Sequence, residues 1–366
     1  MPSLDFFPSR TLTVYLIRLF VSRILAVLVM LVLVLMMLDI LAKSGDILAV
    51  PGNGQAQLLT YVSLRLPQLV QTFLPYSVLL ATIITLLGLN QNSEVIAMKA
   101  AGLSAHQVLS PLLLTALVVS ALSFAFNERI VTRATAALSA WSANEFRPVP
   151  PGTDVRANVY VSDGSNILMA GTVTGRGEAT ELTGVSWYRR GPGGLIAEQI
   201  TAPRATYAGP GWRLEDARRF DVQTADTTRL PSIVVGERID PAAFRLGRVD
   251  PNAENFWTLG NVIEEYRVAG RRTSELEANR WHKLSGPLSA FLMPLLGAIA
   301  AFGLARSGKL FMRALIGMAL GFAYFVFDNA ALATGSFGGY PPLLAAWLPF
   351  LLFFLIGQTV LIRTEE

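Results

Sequence analysis

The chain has no cysteine, so disulfides and thiolate metal sites are excluded. Its only two histidines, His106 and His282, lie far apart and outside any HExxH pattern, which removes the common zinc-enzyme signature and leaves no metal site expected. Charge is scarce as well: 15% of the 366 residues are charged and the net charge is +4. The Lys and Arg residues form no tract and no aromatic-interleaved patch, which argues against nucleic-acid binding. Short-period repeats are missing. No small-residue cleavage site follows the uncharged stretch 24–38, where Asp39 and Lys43 intervene, so it reads as a retained first helix rather than a signal sequence.

What the chain has in quantity is apolar surface, with 52% hydrophobic residues and a mean hydropathy of +0.46, the range of a membrane protein. A membrane-spanning helix needs about 20 mostly apolar residues. Such runs occur near 16–42, 66–89 and 108–126, and again near 284–304, 310–333 and 342–362. The expected architecture is therefore six transmembrane helices with an inserted domain between the third and fourth. Arg10, Arg18 and Arg23 at the start, and Arg306, Lys309 and Arg313 between the fourth and fifth runs, place those loops in the cytoplasm. Loops 44–60 and 334–340 hold no Lys or Arg, so they and the long middle segment fall on the outer side with both termini inside. The expected boundaries are 1–127 for the first three helices, 128–273 for the outer domain with a helical connector, and 274–366 for the last three.

Within the middle segment the period changes. Short stretches rich in β-branched or aromatic residues at 158–161, 167–170, 185–188, 195–200, 204–207 and 212–220 read as strands. Turn residues at 163–164, 191–194 and 209–211 separate them at spacings that suit a sandwich or jelly roll, so an all-β domain is expected. A Pro-rich strip at 147–152 leads in, and helical pattern returns at 255–270 and 274–282.

Between the second and third runs, residues 93–102 read as a helix of about 13 Å. Ser93 stands where a side chain caps the start, and Gly102 where a helix ends. Val95, Met98 and Ala101 share a face, with Glu94 in the first turn where the dipole favours a carboxylate. A helix of this kind either lies on headgroups or docks into a partner; its lack of basic charge favours docking. The stretch 303–309, GLARSGK, matches a phosphate loop until Leu310 stands where Ser or Thr must hold magnesium, and it follows a membrane helix rather than a strand. If ATP drives this protein, the motor is another polypeptide. Charges near the spans are costly and mark Asp39, Lys43, Arg65 and Asp328. Asp39 and Lys43, four apart, are placed to pair along one face, and Asp328 needs a buried partner or a polar cavity. Arg65, Gln68 and Gln71 stand among Pro67 and Pro75, where an unwound or kinked helix start is expected. Phe322, Phe325 and Phe327 either pack or, facing a bundle interior, line an acyl-chain cavity. Val159, Leu168, Trp187, Ile196 and Trp212 would fill a closed β-core or, in an open one, line a greasy groove.

Two blocks carry a resemblance that covers essentially the whole chain. One runs through Leu66-Pro67, Leu74-Pro75, Leu79-Leu80, Leu86–Leu89, Ser93-Glu94, Met98, Ala100 and Gly102-Leu103-Ser104. The other comprises Trp281, Lys283, Pro287-Leu288-Ser289, Gly317, Gly321-Phe322, Asp328, Pro341-Pro342, Ala345 and Pro349, and Pro203, Ala205, Tyr207, Trp212 and Leu214 fit the β-domain. In these the chain resembles the LptF/LptG permease family of lipopolysaccharide export, on its LptG-type side. The resemblance implies a partner LptF-like permease, a dimeric LptB-like ATPase that binds the ATP and magnesium, an LptC-like bitopic protein and a periplasmic LptA-like bridge, with no cofactor in this chain. It implies a bacterial inner-membrane location. By analogy Glu94, Val95, Met98, Ala101 and Gly102 belong to an ATPase-coupling helix, and Lys43 faces lipopolysaccharide phosphates. Phe322, Phe325 and Asp328 are then cavity candidates, and Val159, Leu168 and Ile196 lie on a periplasmic lipid path. Ala42 and Ser44 beside Lys43 depart from the more basic family pattern. Lipid would pass sideways between the first helix and the partner's fifth, then rise into the jelly roll on ATP-driven closure. The alternatives are a paralogous LptF-type permease, a lipoprotein or division-type permease, a sensing scaffold, and a lipid-modifying enzyme using Asp163, Glu215 or Asp221. The last lacks any nucleophile motif or metal cluster.

Overall fold

The computed structural model describes residues 7–147, 156–162, 166–175, 177–191, 195–222, 224–241, 244, 249–268, 271–302 and 310–363. Helices α1 (Arg10–Leu48) and α2 (Gln55–Gln91) are followed by the short α3 (Glu94–Ala100), then α4 (Ala105–Phe126), a π-helical turn (Asn127–Val131) and α5 (Thr132–Ala143). After the strands come α6 (Phe256–Val268), α7 (Ser274–Phe302), α8 (Leu310–Ser336) and α9 (Pro342–Arg363). Five stretches among the described residues are long and apolar enough to cross a membrane: Arg10–Leu48, Gln55–Gln91, Ala105–Ala143, Ala314–Ser336 and Pro342–Thr359. The phosphate-loop-like stretch 303–309, the Pro-rich residues 148–152 and the turn at 163–164 lie outside the described residues.

The chain divides into two units. The helical unit comprises Met1–Leu41, Arg65–Arg133 and Glu254–Glu366. Its core joins Leu16, Phe20 and Ile24 of α1 to Val78, Leu79 and Leu86 of α2, Val108 and Leu112 of α4, Leu292 and Leu296 of α7, and Tyr324 of α8. Apolar burial gains little against lipid, so close contact and polar links hold such helices together. A methyl on Gly335 of α8 would collide with Ala345 of α9. Arg23 of α1 donates to the Ile84 carbonyl of α2 at 2.7 Å. A capping box, with Ser104 accepting from the Gln107 amide and the Gln107 side chain accepting from the Ser104 amide, fixes the start of α4. Of the unwound or kinked start expected for α2, the unwound form does not occur: the helix is continuous through Pro67 and Pro75. Each proline removes one N–H, a loss that neighbouring helices and polar side chains make tolerable in a membrane.

The second unit comprises Ala42–Leu64 and Ala134–Ala253. In it Ile47, Tyr61, Leu138 and Phe146 form a small core, and Asn53 Nδ2 donates to the carbonyls of both Ile47 and Phe146 at 3.0 Å. Six strands follow: β1 (Arg156–Ser162), β2 (Ile167–Thr174), β3 (Glu181–Arg190), β4 (Ile196–Tyr207), β5 (Trp212–Asp221) and β6 (Thr227–Val235). They form one antiparallel sheet in the order β1-β2-β3-β4-β5-β6, so every neighbour in space is a neighbour in sequence. Two expected strands, 195–200 and 204–207, are one strand running through Pro203, and β6 had no counterpart in the sequence reading. A proline reads as a break, but here it falls between paired residues. Val185 pairs Ala202 and Thr183 pairs Arg204, leaving Pro203 opposite Gly184. The same line passes Asp216 on β5 and Pro231 on β6, each between paired neighbours. Gly184 and Asp216 have positive φ, at 61° and 50°. Residues that cannot complete the ladder thus align across four strands as a crease, the local disruption that bends a sheet.

One face of the sheet is apolar and closed. Val159, Leu168, Leu182, Trp187, Ile200, Trp212, Leu214 and Phe244 pack together there, and the buried indole of Trp212 donates to the Ile239 carbonyl at 2.9 Å. Replacing Trp212 with alanine should cost the domain about 3–5 kcal/mol, read as earlier loss of protease resistance in the sheet while the helical unit keeps its helical circular dichroism.

Candidate functional site

The short α3 lies between α2 and α4, and its ends are specified separately. At its C-terminus Gly102 takes φ +86°. The Leu103 amide donates to the Met98 carbonyl and the Gly102 amide to the Lys99 carbonyl, the paired bonds of a Schellman stop. At its N-terminus the expected side-chain cap is absent: Ser93 sits in the left-handed region and makes no capping bond. The left-handed turn reverses the chain too sharply for the hydroxyl to reach the N3 amide. Seven residues give a helix of about 10 Å, shorter than expected, with Ala101 as its cap and Gly102 beyond it.

Val95 and Met98 are buried in the helical core, so they root α3 rather than present it. Ala101 does not share their environment and is exposed. The outward surface consists of Ile96, 56% exposed, with Ala97, Lys99, Ala100, Ala101 and Gly102. Beside it, Glu94 accepts a hydrogen bond from the Tyr15 hydroxyl of α1 at 3.1 Å. That bond ties the acid to the start of the first helix, 79 residues earlier.

The charged residues marked by sequence are partnered differently from expectation. Asp39 receives Arg65 Nε at 3.1 Å, and Arg65 also donates to Gln68. Lys43 pairs with Asp46 at 3.1 Å, both well exposed. Asp39 is thus held by a cation on the neighbouring helix, where both groups are more shielded, while Lys43 keeps its ammonium in the open.

Asp328 is buried on α8, and its Oδ2 lies 2.9 Å from His282 Nε2 on α7. Its Oδ1, the Tyr324 hydroxyl and the Ser285 hydroxyl are buried without a hydrogen-bond partner among the described residues. One residue along α7, the buried Lys283 Nζ lies 4.0 Å from Glu128 Oε1. The other oxygen of Glu128 accepts the Phe256 amide at 2.6 Å, closing the start of α6. Glu128 belongs to the π-helical turn, a form that concentrates at functional positions. Sequence reading missed His282 and Glu128. The signal was present: Glu128 is the second residue past the apolar run ending at 126, and His282-Lys283 head the run starting at 284, so opposite charges flank two spans.

Phe325 is buried and stacks on Tyr76 at 3.8 Å between centroids, whereas Phe322 on the next face is 66% exposed. Only one of the three cavity candidates therefore points outward. In the sheet, Val159 and Leu168 are sealed in the closed core, and Ile196 is half-exposed at its rim. Two residues further along β4, the buried carboxylate of Glu198 is clamped by Arg189, at 2.6 Å, and by Arg219. Of the acids considered for catalysis, Asp163 lies outside the described residues, and no cluster of three or more His, Asp or Glu suited to a metal occurs among the described residues.

Removing His282 leaves the buried Asp328 carboxyl without its hydrogen-bond partner, at a cost of about 1–3 kcal/mol. His282→Ala should therefore lower thermal stability in detergent sharply, and adding Asp328→Leu to it should restore most of the loss; two additive losses would rule out the pairing as the stabilising contact.

The family model for the lipopolysaccharide export system permease LptF/LptG matches residues 14–363. The lipopolysaccharide export system permease protein LptG of Escherichia coli K12 is 26% identical over 310 residues, 83% of this chain and 84% of that protein. Its namesake from Haemophilus influenzae is 24% identical over 323 residues, 85% of this chain and 87% of that protein. With five membrane-competent helical stretches, an inserted antiparallel sheet and a family match over nearly its full length, this chain belongs to the LptF/LptG family of lipopolysaccharide export system permeases.

Proposed function

We propose that this chain is one half of an inner-membrane conduit for lipopolysaccharide, driven through α3 by a separate ATPase. The observation that carries the reading is the two-sidedness of α3. Its inner side, Val95 and Met98, is continuous with the helical core, and its outer side offers exposed Ile96 beside the tethered Glu94. A short helix rooted in a bundle and greasy on its free side passes movement from a docked body to the bundle. Glu94, Ile96, Ala101 and Gly102 would form the docking surface, with Val95 and Met98 as its root.

In this reading α7 is the sixth span, both termini are cytoplasmic, and the sheet is a periplasmic jelly-roll-like domain. The partners are an LptF-like permease, an LptB-like ATPase dimer that holds ATP and magnesium, an LptC-like bitopic protein and an LptA-like bridge. This chain itself carries no cofactor and performs no hydrolysis. Lys43, exposed at the end of α1, meets headgroup phosphates, and exposed Phe322 faces acyl chains or the partner permease. Ile196 marks the mouth of the periplasmic path, and Val159 and Leu168 lie where chains pass once the core opens. Exposing several acyl chains costs on the order of tens of kcal/mol at about 0.8 per CH₂, so a continuous apolar route and ATP are both needed.

The contrast between two neighbouring substitutions tests the reading. Ile96→Asp should abolish ATP-dependent lipid release from reconstituted complexes and reduce ATPase co-purification while leaving folding intact. Val95→Asp should instead lower the thermal stability of the helical unit. Normal release with Ile96→Asp would remove α3 as the input.

A further inference from the structure

The face of the sheet opposite its apolar core carries a groove of about 970 Å³ that the export reading does not use. It lies along the crease. Gly184, Pro203, Asp216 and Pro231 line it, together with Ser186, Thr201, Arg218 and Arg229. Its size falls at the upper end of small-molecule sites, roughly 300–1,000 Å³.

The register explains why these groups converge. Ser186 pairs with Thr201, Thr201 with Arg218, and Arg218 with Arg229. Residues paired across strands point to the same face, so two hydroxyls and two guanidinium groups stand in one row across β3, β4, β5 and β6. Their neighbours Val185, Ala202, Ala217 and Leu230 pack on the opposite, core side. Like charges directly opposite each other destabilise a strand pair. Arg218 and Arg229 are nonetheless exposed, directly paired, and without an ion-pair partner among the described residues. Elsewhere in the same sheet Arg189 and Arg219 are neutralised by Glu198 and Arg204 by Glu181, and the exposed Arg190 and Arg213 stand opposite uncharged residues. Among the described residues, two arginines face each other directly across a strand pair only at the groove.

We propose that this groove binds a phosphorylated saccharide. The Arg218 and Arg229 forks match phosphate oxygens. Ser186 and Thr201 donate to the same anion or to sugar oxygens, and the Asp216 carboxylate, which would repel a bare phosphate, accepts sugar hydroxyls. Pro203 and Pro231 give the ring a flat apolar floor. A site for phosphate alone needs neither the volume nor the acid. That the saccharide is the hydrophilic part of the exported amphiphile rests on the function proposed above; the site itself does not.

The test uses the full-length chain in lipid nanodiscs with glucose 1-phosphate as the soluble probe, observed by saturation-transfer NMR. Arg218→Gln and Arg229→Gln should each weaken binding about tenfold, the loss expected from one charge-assisted hydrogen bond. The double variant should lose detectable binding while its thermal stability is unchanged or higher, because a repulsive pair has been removed. A purely structural role gives the reverse pattern, lower stability with binding intact, and overturns the proposal. Glucose binding as well as glucose 1-phosphate also overturns it, as does inorganic phosphate binding as well as the sugar phosphate. Lipopolysaccharide that displaces the probe, where its chemically dephosphorylated form does not, identifies a lipid-borne saccharide. Probe binding without such displacement keeps the site, assigns it to a free sugar phosphate and separates it from the export reading, which the α3 variants test on their own.

Discussion

In hydrocarbon no water is at hand to satisfy a charge, and the helical unit is organised by that constraint. Two contacts meet it, each with one buried partner, His282 with the buried Asp328 and the buried Lys283 with Glu128. They join α7 to α8 on one side and to the end of α4 on the other. Since lipid removes the usual reward for hiding apolar groups, these contacts and the close glycine approaches select one helix arrangement from many of similar apolar fit. Glu128 does more than pair. By capping α6 it fixes, at a single side chain, the point where the chain leaves the bundle for the sheet and the point where it returns.

The long helices were legible because membrane insertion is a local rule: about 20 apolar residues suffice, whatever they touch. Residues 16–42, 66–89 and 108–126 fall within or largely within α1, α2 and α4. The sheet was legible in type but not in the limits of every strand. Pro203 split one strand into two because proline's lost donor is visible in sequence, while its position between ladder pairs is not. Strand β6 was missed because its exposed Thr227, Thr228 and Arg229 hide the alternation, and Pro231 interrupts it. Its order, a plain meander of neighbours, follows from short loops that return each strand beside the last.

The candidate site was legible in residue type and misread in direction. Helical spacing put Val95 and Met98 on a common face, but periodicity cannot say whether that face meets a partner or the chain's own core. It meets the core, and Ile96, on the other side, is the exposed apolar residue. Likewise Asp39 and Lys43 satisfy an i,i+4 rule, yet Asp39 joins Arg65 from the next helix, and Lys43 joins Asp46. A partner 26 residues away has no local signature.

The sheet unit raises a different problem, because its apolar face is full. Leu168, Trp212 and Leu214 have no exposed surface, so the proposed function requires an acyl chain to displace side chains already packed there. The exchange of one apolar contact for another is nearly neutral in transfer energy; its cost lies in the broken packing, which the domain regains when the chain leaves. The crease makes such opening feasible. Along Gly184, Pro203, Asp216 and Pro231 the ladder already lacks bonds, so bending there breaks fewer than bending elsewhere. On the proposed function, a sheet hinged in this way holds a filled core at rest and admits an acyl chain only when one is forced upon it, which suits a one-way route better than a standing open trough.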